Sequence, residues 1–190
     1  MKTLKDYFGQ FPFLTTADLA KIQAIGEEKK YDKGALFIHS GTTQRKLGIL
    51  LEGLTRAYAI NNKGEEISMK FRKEGEAVAC HDSIFYNQPS RQNIEFLEPS
   101  TIIVFNYKAI EKLANQNTRV KQLKEYFFEQ FVIRLQERLE TFLLYSAQER
   151  YQWLMDTDPI LIQRVQQKHL ASFLGITPVS LSRLRNQRRT

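Results

Sequence analysis

Near its C-terminal end the chain reads Gln167-Lys168-His169-Leu170-Ala171-Ser172-Phe173-Leu174-Gly175-Ile176-Thr177-Pro178-Val179-Ser180-Leu181-Ser182-Arg183-Leu184-Arg185. Leu170, Phe173 and Leu174 share one face of a short helix, at i, i+3 and i+4. Gly175 follows, where a left-handed residue stops a helix without steric cost. Thr177 can N-cap a second helix, and Pro178 suits its first turn because it has no amide to leave unpaired. Leu181 and Leu184 give that helix its apolar face, and small Ala171 lets the two helices cross closely. The pattern predicts a helix-turn-helix whose second helix is available to duplex DNA.

Charge favours this over an ordinary helical hairpin with a solvated tail. From Pro159 to Thr190 no acidic residue occurs, whereas Arg164, Lys168, Arg183, Arg185, Arg188 and Arg189 are basic. They make up most of the formal net charge of +7 and concentrate it at one end. Such a patch is the electrostatic footprint expected for a phosphate backbone. Lys168, Thr177, Ser180, Ser182, Arg183, Arg185, Asn186, Arg188 and Arg189 are therefore the expected DNA contacts. Arg183 is expected to read a base, and the other basic side chains to bind phosphates.

The preceding chain divides by periodicity. Thr3 to about Lys29 looks helical, with a cap at Thr15 or Thr16 and a stripe of Leu19, Ile22 and Ile25. From Tyr31 to Val104 short strands alternate with turns: Ala35–Ile38, Leu47–Leu51, Leu54–Ile60, Ile67–Phe71, Asn93–Leu97 and Thr101–Phe105. Asn61-Asn62-Lys63-Gly64 supplies a hairpin turn. Many short strands predict a β-roll of the jelly-roll, double-stranded β-helix type. Tyr107 to about Asn115 forms a short helix. Thr118 to Tyr145 then contains neither Gly nor Pro, predicting a helix of about 42 Å.

That long helix carries apolar residues on two faces, more than one roll can cover. A second copy across a two-fold axis would cover Leu123, Phe127, Phe131, Leu135, Leu139 and Phe142, the expected homodimer interface. Ser146-Ala147-Gln148-Glu149 opens a further helix with a capping box. The expected fold is α+β, with flanking helices on the roll. The expected division is 1–117 for the roll, 118–145 for the dimer helix and 146–190 for the DNA-binding part.

Composition excludes other classes. A 42% hydrophobic and 26% charged chain is globular rather than disordered. No apolar run reaches membrane-spanning length, and Met1–Tyr7 lacks the apolar core of a secretory signal, so a cytoplasmic protein without a membrane partner is expected. Cys80 is the lone cysteine, which excludes an intramolecular disulfide or an all-cysteine metal site. A β-roll could also house a cupin enzyme, but His39, His81 and His169 show no His-x-His spacing. Cys80 and His81 are adjacent, hence on opposite faces of a strand. No catalytic set, no metal site and no enzyme are expected.

Roll, long helix and terminal helix pair together resemble the CRP/FNR family of bacterial transcription regulators. The resemblance spans essentially the whole chain. It is carried by Gln148-Glu149-Arg150-Tyr151, Arg164-Val165-Gln166-Gln167-Lys168 and Leu170 to Pro178 with Leu181-Ser182-Arg183. In the roll it is carried by Leu50-Leu51-Glu52-Gly53, Asn62-Lys63-Gly64-Glu65-Glu66 and Glu74-Gly75-Glu76. Its ending is similar to that of the short, Bacteroidetes-type branch. The resemblance implies double-stranded DNA, a second copy and RNA polymerase as partners, and a small-molecule effector in a pocket at Gly75, Glu76, Ser90 and Arg91.

Departures from the family pattern shape the expectation. The family pairs Gly-Glu with a later Arg-Ser or Arg-Ala, whereas Ser90-Arg91 is reversed, and a one-residue shift turns a strand side chain to the other face. No cofactor is expected, and a cyclic nucleotide, though the family's ligand, is not expected to fit well. Val179 stands where the family often has glutamate, and Pro178 where it commonly has arginine, so the operator should differ from the usual half-site. The competing expectation is a ligand-binding or protein-interaction roll that no longer binds DNA.

Overall fold

The computed structural model describes residues 4–186 and divides into two compact units. The first comprises residues 1–59 and 70–129, the second residues 60–69 and 130–190. The boundary thus falls inside the long helix rather than at its start, and the tip of one β-hairpin groups with the C-terminal helices.

The first unit opens with α1 (Leu4–Phe8) and α2 (Thr16–Ala24). Thr15 caps α2 through a reciprocal capping box with Asp18. The sequence predicted helix as far as Lys29, but Gly26–Tyr31 forms strand β1, antiparallel to β8 (Ser100–Asn106). An apolar β8 needs a ladder partner on each side. The run Glu27-Glu28-Lys29-Lys30 provides one as a charged edge strand that discourages further pairing.

Two four-stranded sheets build the roll: β1-β8-β3-β6 and β2-β7-β4-β5. Their remaining strands are β2 (Leu36–Ile38), β3 (Lys46–Glu52), β4 (Thr55–Ile60), β5 (Glu66–Arg72), β6 (Ala77–Ala79) and β7 (Asn93–Phe96). A short helix, α3 (His81–Phe85), follows β6. Alternation sorts the side chains of β3 and β8 into two cores. Leu50 and Ile102 join Phe37, Ile38, Ala57, Val78, Cys80, Ile94 and Phe96 inside the roll. Ile49, Leu51, Ile103 and Phe105 pack against Tyr7, Phe8, Phe11 and Ile22 of the N-terminal segment. A strand covered on both faces reads as a continuous apolar run, as Leu47–Leu51 does.

Helix α4 (Tyr107–Gln116) leads to α5 (Thr118–Leu144). The side chain of Asn117 accepts from the Arg119 and Val120 amides, so the polar break in the sequence is the cap of the long helix. Buried Asp18 accepts from Asn117 Nδ2 at 2.6 Å and pairs with Arg119, whose guanidinium holds the carboxyl far below the usual range.

The second unit continues α5 into α6 (Ala147–Thr157), α7 (Pro159–Arg164), α8 (Gln167–Leu174) and α9 (Pro178–Asn186). The capping box read at Ser146 and Glu149 is present. Asp158 caps α7, with Pro159 in its first turn.

Candidate nucleic-acid interface and effector recess

Gly175 takes φ 69°, and the Ile176 amide reaches back to the Ala171 carbonyl at 3.0 Å, closing α8 with a left-handed cap. Two residues later Thr177 Oγ1 accepts from the Ser180 amide at 3.1 Å and starts α9. Leu170, Ala171, Phe173 and Leu174 of α8 and Leu181 of α9 are buried. Gln167 Nε2 ties the two helices by donating to the Pro178 carbonyl at 3.0 Å.

Burying that face turns the polar one outward. Lys168, Thr177, Ser182, Arg183 and Asn186 are exposed, while Ser180 and Arg185 are half-buried. Thr177 and Ser180 also bond each other, so part of their hydrogen-bonding capacity serves the cap. Arg188 and Arg189 lie outside the described residues. Val179 is exposed beside Ser180, giving α9 an apolar contact of its own.

Two arginines hold α8 from outside the pair and a serine of α8 itself reaches out to the hairpin tip; sequence reasoning missed all three. Arg150 donates from Nε to the Leu174 carbonyl at 2.9 Å and from Nη1 to the Tyr145 carbonyl at 2.7 Å. Arg138 donates to the Phe173 carbonyl and lies between the Phe173 and Phe142 rings, 3.8 and 4.2 Å from their centroids. Both arginines thus take carbonyls that the last turn of α8 leaves unpaired, where a helix favours positive charge. Burial, with Arg150 nearby, lowers the Arg138 pKa to about 10. Ser172 Oγ accepts from the Ser68 amide at 2.9 Å and donates to the Glu66 carbonyl at 3.0 Å, joining α8 to the hairpin tip. The position of Arg150 in the Gln-Glu-Arg-Tyr motif was the available signal for it.

In the roll, the four expected effector residues do not come together. Gly75 takes φ 81° in the turn between β5 and β6, and Glu76 accepts from the Lys73 amide at 2.8 Å within that turn. Ser90 sits at the far end of β6, its hydroxyl 3.1 Å from Cys80 Sγ and donating to the Gln92 carbonyl at 2.6 Å. Cys80 lies four extended steps along the chain from Glu76, about 13 Å. Arg91 is exposed and forms a two-pronged ion pair with Asp82, at 2.9 and 3.3 Å. That pairing keeps the Asp82 carboxyl below its ordinary range.

Other polar groups gather near Cys80. Lys70 and Arg72 alternate along β5. Burial, with Arg72 adding repulsion, lowers the Lys70 pKa to about 8. Burial, followed by the charges of Lys70 and Arg72, pushes His81 down to about 3, leaving a neutral imidazole that stacks on Phe85. Buried Gln92 keeps its Oε1 without a hydrogen-bond partner. Among the described residues no group of histidine, cysteine and carboxylate side chains could hold a metal ion, and no helix is long and apolar enough to cross a membrane.

The long helix divides its apolar residues. Leu123 is buried in the N-terminal core, and Phe127 packs there against Tyr7 and Phe11. These two belong to the chain's own core because α1 and the segment after it cover them. Phe131 is half-buried, and Phe142 packs on the Gly175 turn and under Arg138 and Arg150. Among the apolar residues left outward, which include Ile133, Leu143 and Leu144, are Phe128, Val132, Leu135 and Leu139, the last two 57% exposed each. Their spacing of 4, 3 and 4 residues is that of a coiled-coil seam.

A roll of two antiparallel sheets, followed by a long helix and a group of short C-terminal helices, is an α+β fold like that of CRP/FNR regulators. Residues 28–117 match the family model of the cyclic nucleotide-binding domain. FixK2 from Bradyrhizobium japonicum is similar over 86% of this chain and 84% of its own, at 16% identity and a TM-score of 0.74. CLP of Xanthomonas campestris, described as a c-di-GMP-responsive global regulator, is similar over 92% of both chains, at 13% identity and a TM-score of 0.73. A Eubacterium rectale protein described as a CRP/FNR-family transcriptional regulator is similar over 97% of this chain and 88% of its own, at 16% identity and a TM-score of 0.72. At these identities the likeness establishes the fold. No curated protein matches the chain in sequence.

Proposed function

We propose that the chain is a DNA-binding transcriptional regulator of the CRP/FNR type, cytoplasmic and without catalytic activity of its own. The observation that supports this is the α8–turn–α9 pair, with Lys168, Ser182, Arg183 and Asn186 exposed and no acidic residue after Asp158, which we read as a helix-turn-helix. Cationic and amide groups on an exposed helix face are suited to phosphates and base edges. The exposed seam of α5 supports a homodimer, which would present two α9 helices to a palindromic operator. RNA polymerase is the further partner such a regulator would engage.

The effector site departs from cyclic nucleotide recognition. Glu76 is occupied in a turn, and Arg91 is exposed and paired with Asp82, so neither offers a ribose or cyclic-phosphate contact. Calorimetry with cyclic AMP should therefore show weak binding or none. Tight binding abolished by Arg91→Ala would contradict this.

The functional test is a mobility shift of the purified chain on DNA upstream of its own gene. A retarded band that survives excess random duplex is expected. Equal competition by random duplex would contradict specific recognition.

A further inference from the structure

Only Tyr145 and Ser146 connect the end of α5 at Leu144 to the start of α6 at Ala147. Ser146 is the N-cap of α6 and takes an extended backbone, so the helical path breaks there. So short a link acts as a hinge unless side chains tie together the helices it joins. Downstream, buried Tyr151, Leu154, Leu161, Leu170, Leu174 and Leu181 give α6–α9 an apolar interior of their own. The last turns of α5 meet that group through a different chemistry.

Arg138, Thr141 and Phe142 stand at i, i+3 and i+4 and share one face of α5. Two guanidinium groups lie over the Phe142 ring, Arg138 at 4.2 Å and Arg150 at 4.8 Å from its centroid. Arg138 is also 3.8 Å from the centroid of Phe173 and donates to the carbonyl of that residue. One cation is therefore held by a ring of α5 and a ring of α8. Arg150 donates to the Tyr145 carbonyl at 2.7 Å and to the Leu174 carbonyl at 2.9 Å. The carboxyl ends of α5 and α8 thus meet on a single guanidinium. Gly175 lies against the same ring, where an added Cβ would come within 2.9 Å of Phe142 Cε1.

Among the described residues neither arginine pairs with a carboxylate, and the charge of Arg150 works against that of Arg138. Net attraction between charges does not explain the arrangement. Stacked rings and helix-end carbonyls are directional partners, and a planar guanidinium answers both at once. What the junction supplies is orientation.

We propose that Arg138 and Arg150 are positioning residues that fix the angle of the α8–α9 pair against the last turns of α5. The inference rests on the regulator reading above. In a dimer built on α5, that angle sets how far apart the two α9 helices lie, and so the half-site separation they accept. Both arginines act through α8 rather than by touching DNA.

The first measurement needs no DNA. Nitroxide labels at Glu137→Cys and Val179→Cys, both exposed positions, report the distance from α5 to α9 by pulsed electron paramagnetic resonance. Labelled chain is diluted with unlabelled chain, and buried Cys80 is left in place. A single narrow distance is expected. Arg138→Lys and Arg150→Lys keep the charge but lose the planar fork, and each should roughly double the width of the distribution. A merely structural arginine would lower the urea midpoint and leave the width of the folded molecules unchanged. The second measurement is a mobility shift on symmetric operators lengthened or shortened by one base pair between half-sites. The wild type should lose about tenfold or more in affinity away from its best separation, and the lysine variants only about threefold. Wild-type width in both lysine variants, shown to be folded by circular dichroism, overturns the proposal. So does a wild-type distribution already as broad as theirs. Specific DNA binding with width and separation profile unchanged in the variants sinks this inference alone. A narrow distance that broadens in the variants, without specific DNA binding by the wild type, sinks the regulator reading alone.

Discussion

The hydroxyl of Ser172 bridges two backbone groups of β5, accepting from the Ser68 amide at 2.9 Å and donating to the Glu66 carbonyl at 3.0 Å. One α8 side chain thereby ties that helix to the strand. Ser68 is buried, so its amide has no easy recourse to water. Ser172→Ala should cost about 1–3 kcal/mol, read as a lowered midpoint in urea with unchanged slope. An unchanged midpoint would show that water replaces the hydroxyl at no cost.

The two apolar faces of α5 should respond differently to charge. Leu135→Asp with Leu139→Asp places carboxylates on exposed positions of the seam and should give a folded monomer by light scattering and circular dichroism. Leu123→Asp places one in the N-terminal core and should unfold that unit. A wild type that is already monomeric at micromolar concentration would remove the dimer from the account.

His81 gives the roll an acid sensitivity of defined sign. Its pKa falls from the ordinary 6.5 to about 3, first through burial and then through Lys70 and Arg72, so the folded state binds the proton more weakly than the unfolded one. The stabilisation is complete above pH 6.5 and is lost as the pH falls towards 3, amounting to about 2 kcal/mol by about pH 5. His81→Gln should flatten the stability profile between about pH 6.5 and 5. Lost carboxylate pairing at Asp18 and Asp82 enters at lower pH. A profile with the wild-type slope would show that His81 titrates normally.

What the sequence disclosed follows the range of the interactions involved. The turn from Gly175 to Thr177 was legible because a left-handed glycine and a hydroxyl cap act within five residues. So was α5, whose ends are fixed by local signals. The effector residues were not. Glu76 and Ser90 are nearly adjacent in motif terms, yet β6 runs between them and places them at opposite ends. Which face of α5 stays exposed was equally hidden, because Tyr7 and Phe11, more than a hundred residues upstream, cover Phe127. Strand β1 escaped notice because its pairing with β8 overrides a charged sequence with little strand preference. Lys70 looked like the polar half of an alternating strand, and only its surroundings make it unusual.

Arg183 is expected to read a base, and Lys168 to contact phosphate. Arg183→Ala should cost about 1–3 kcal/mol on the best site and flatten preference at one base pair. Lys168→Ala should weaken all duplexes alike and make the salt dependence shallower. Equal losses on specific and random duplex for Arg183→Ala would reassign it to the backbone.

The most direct test of the account is selection of binding sites by the full-length chain from a random duplex library, repeated with Arg183→Ala. The account predicts a two-fold symmetric sequence with half-sites about one helical turn apart, near 34 Å, and loss of preference at one symmetric position in the variant. Recovery of unenriched sequence by the wild type, or of a site without two-fold symmetry, would contradict it.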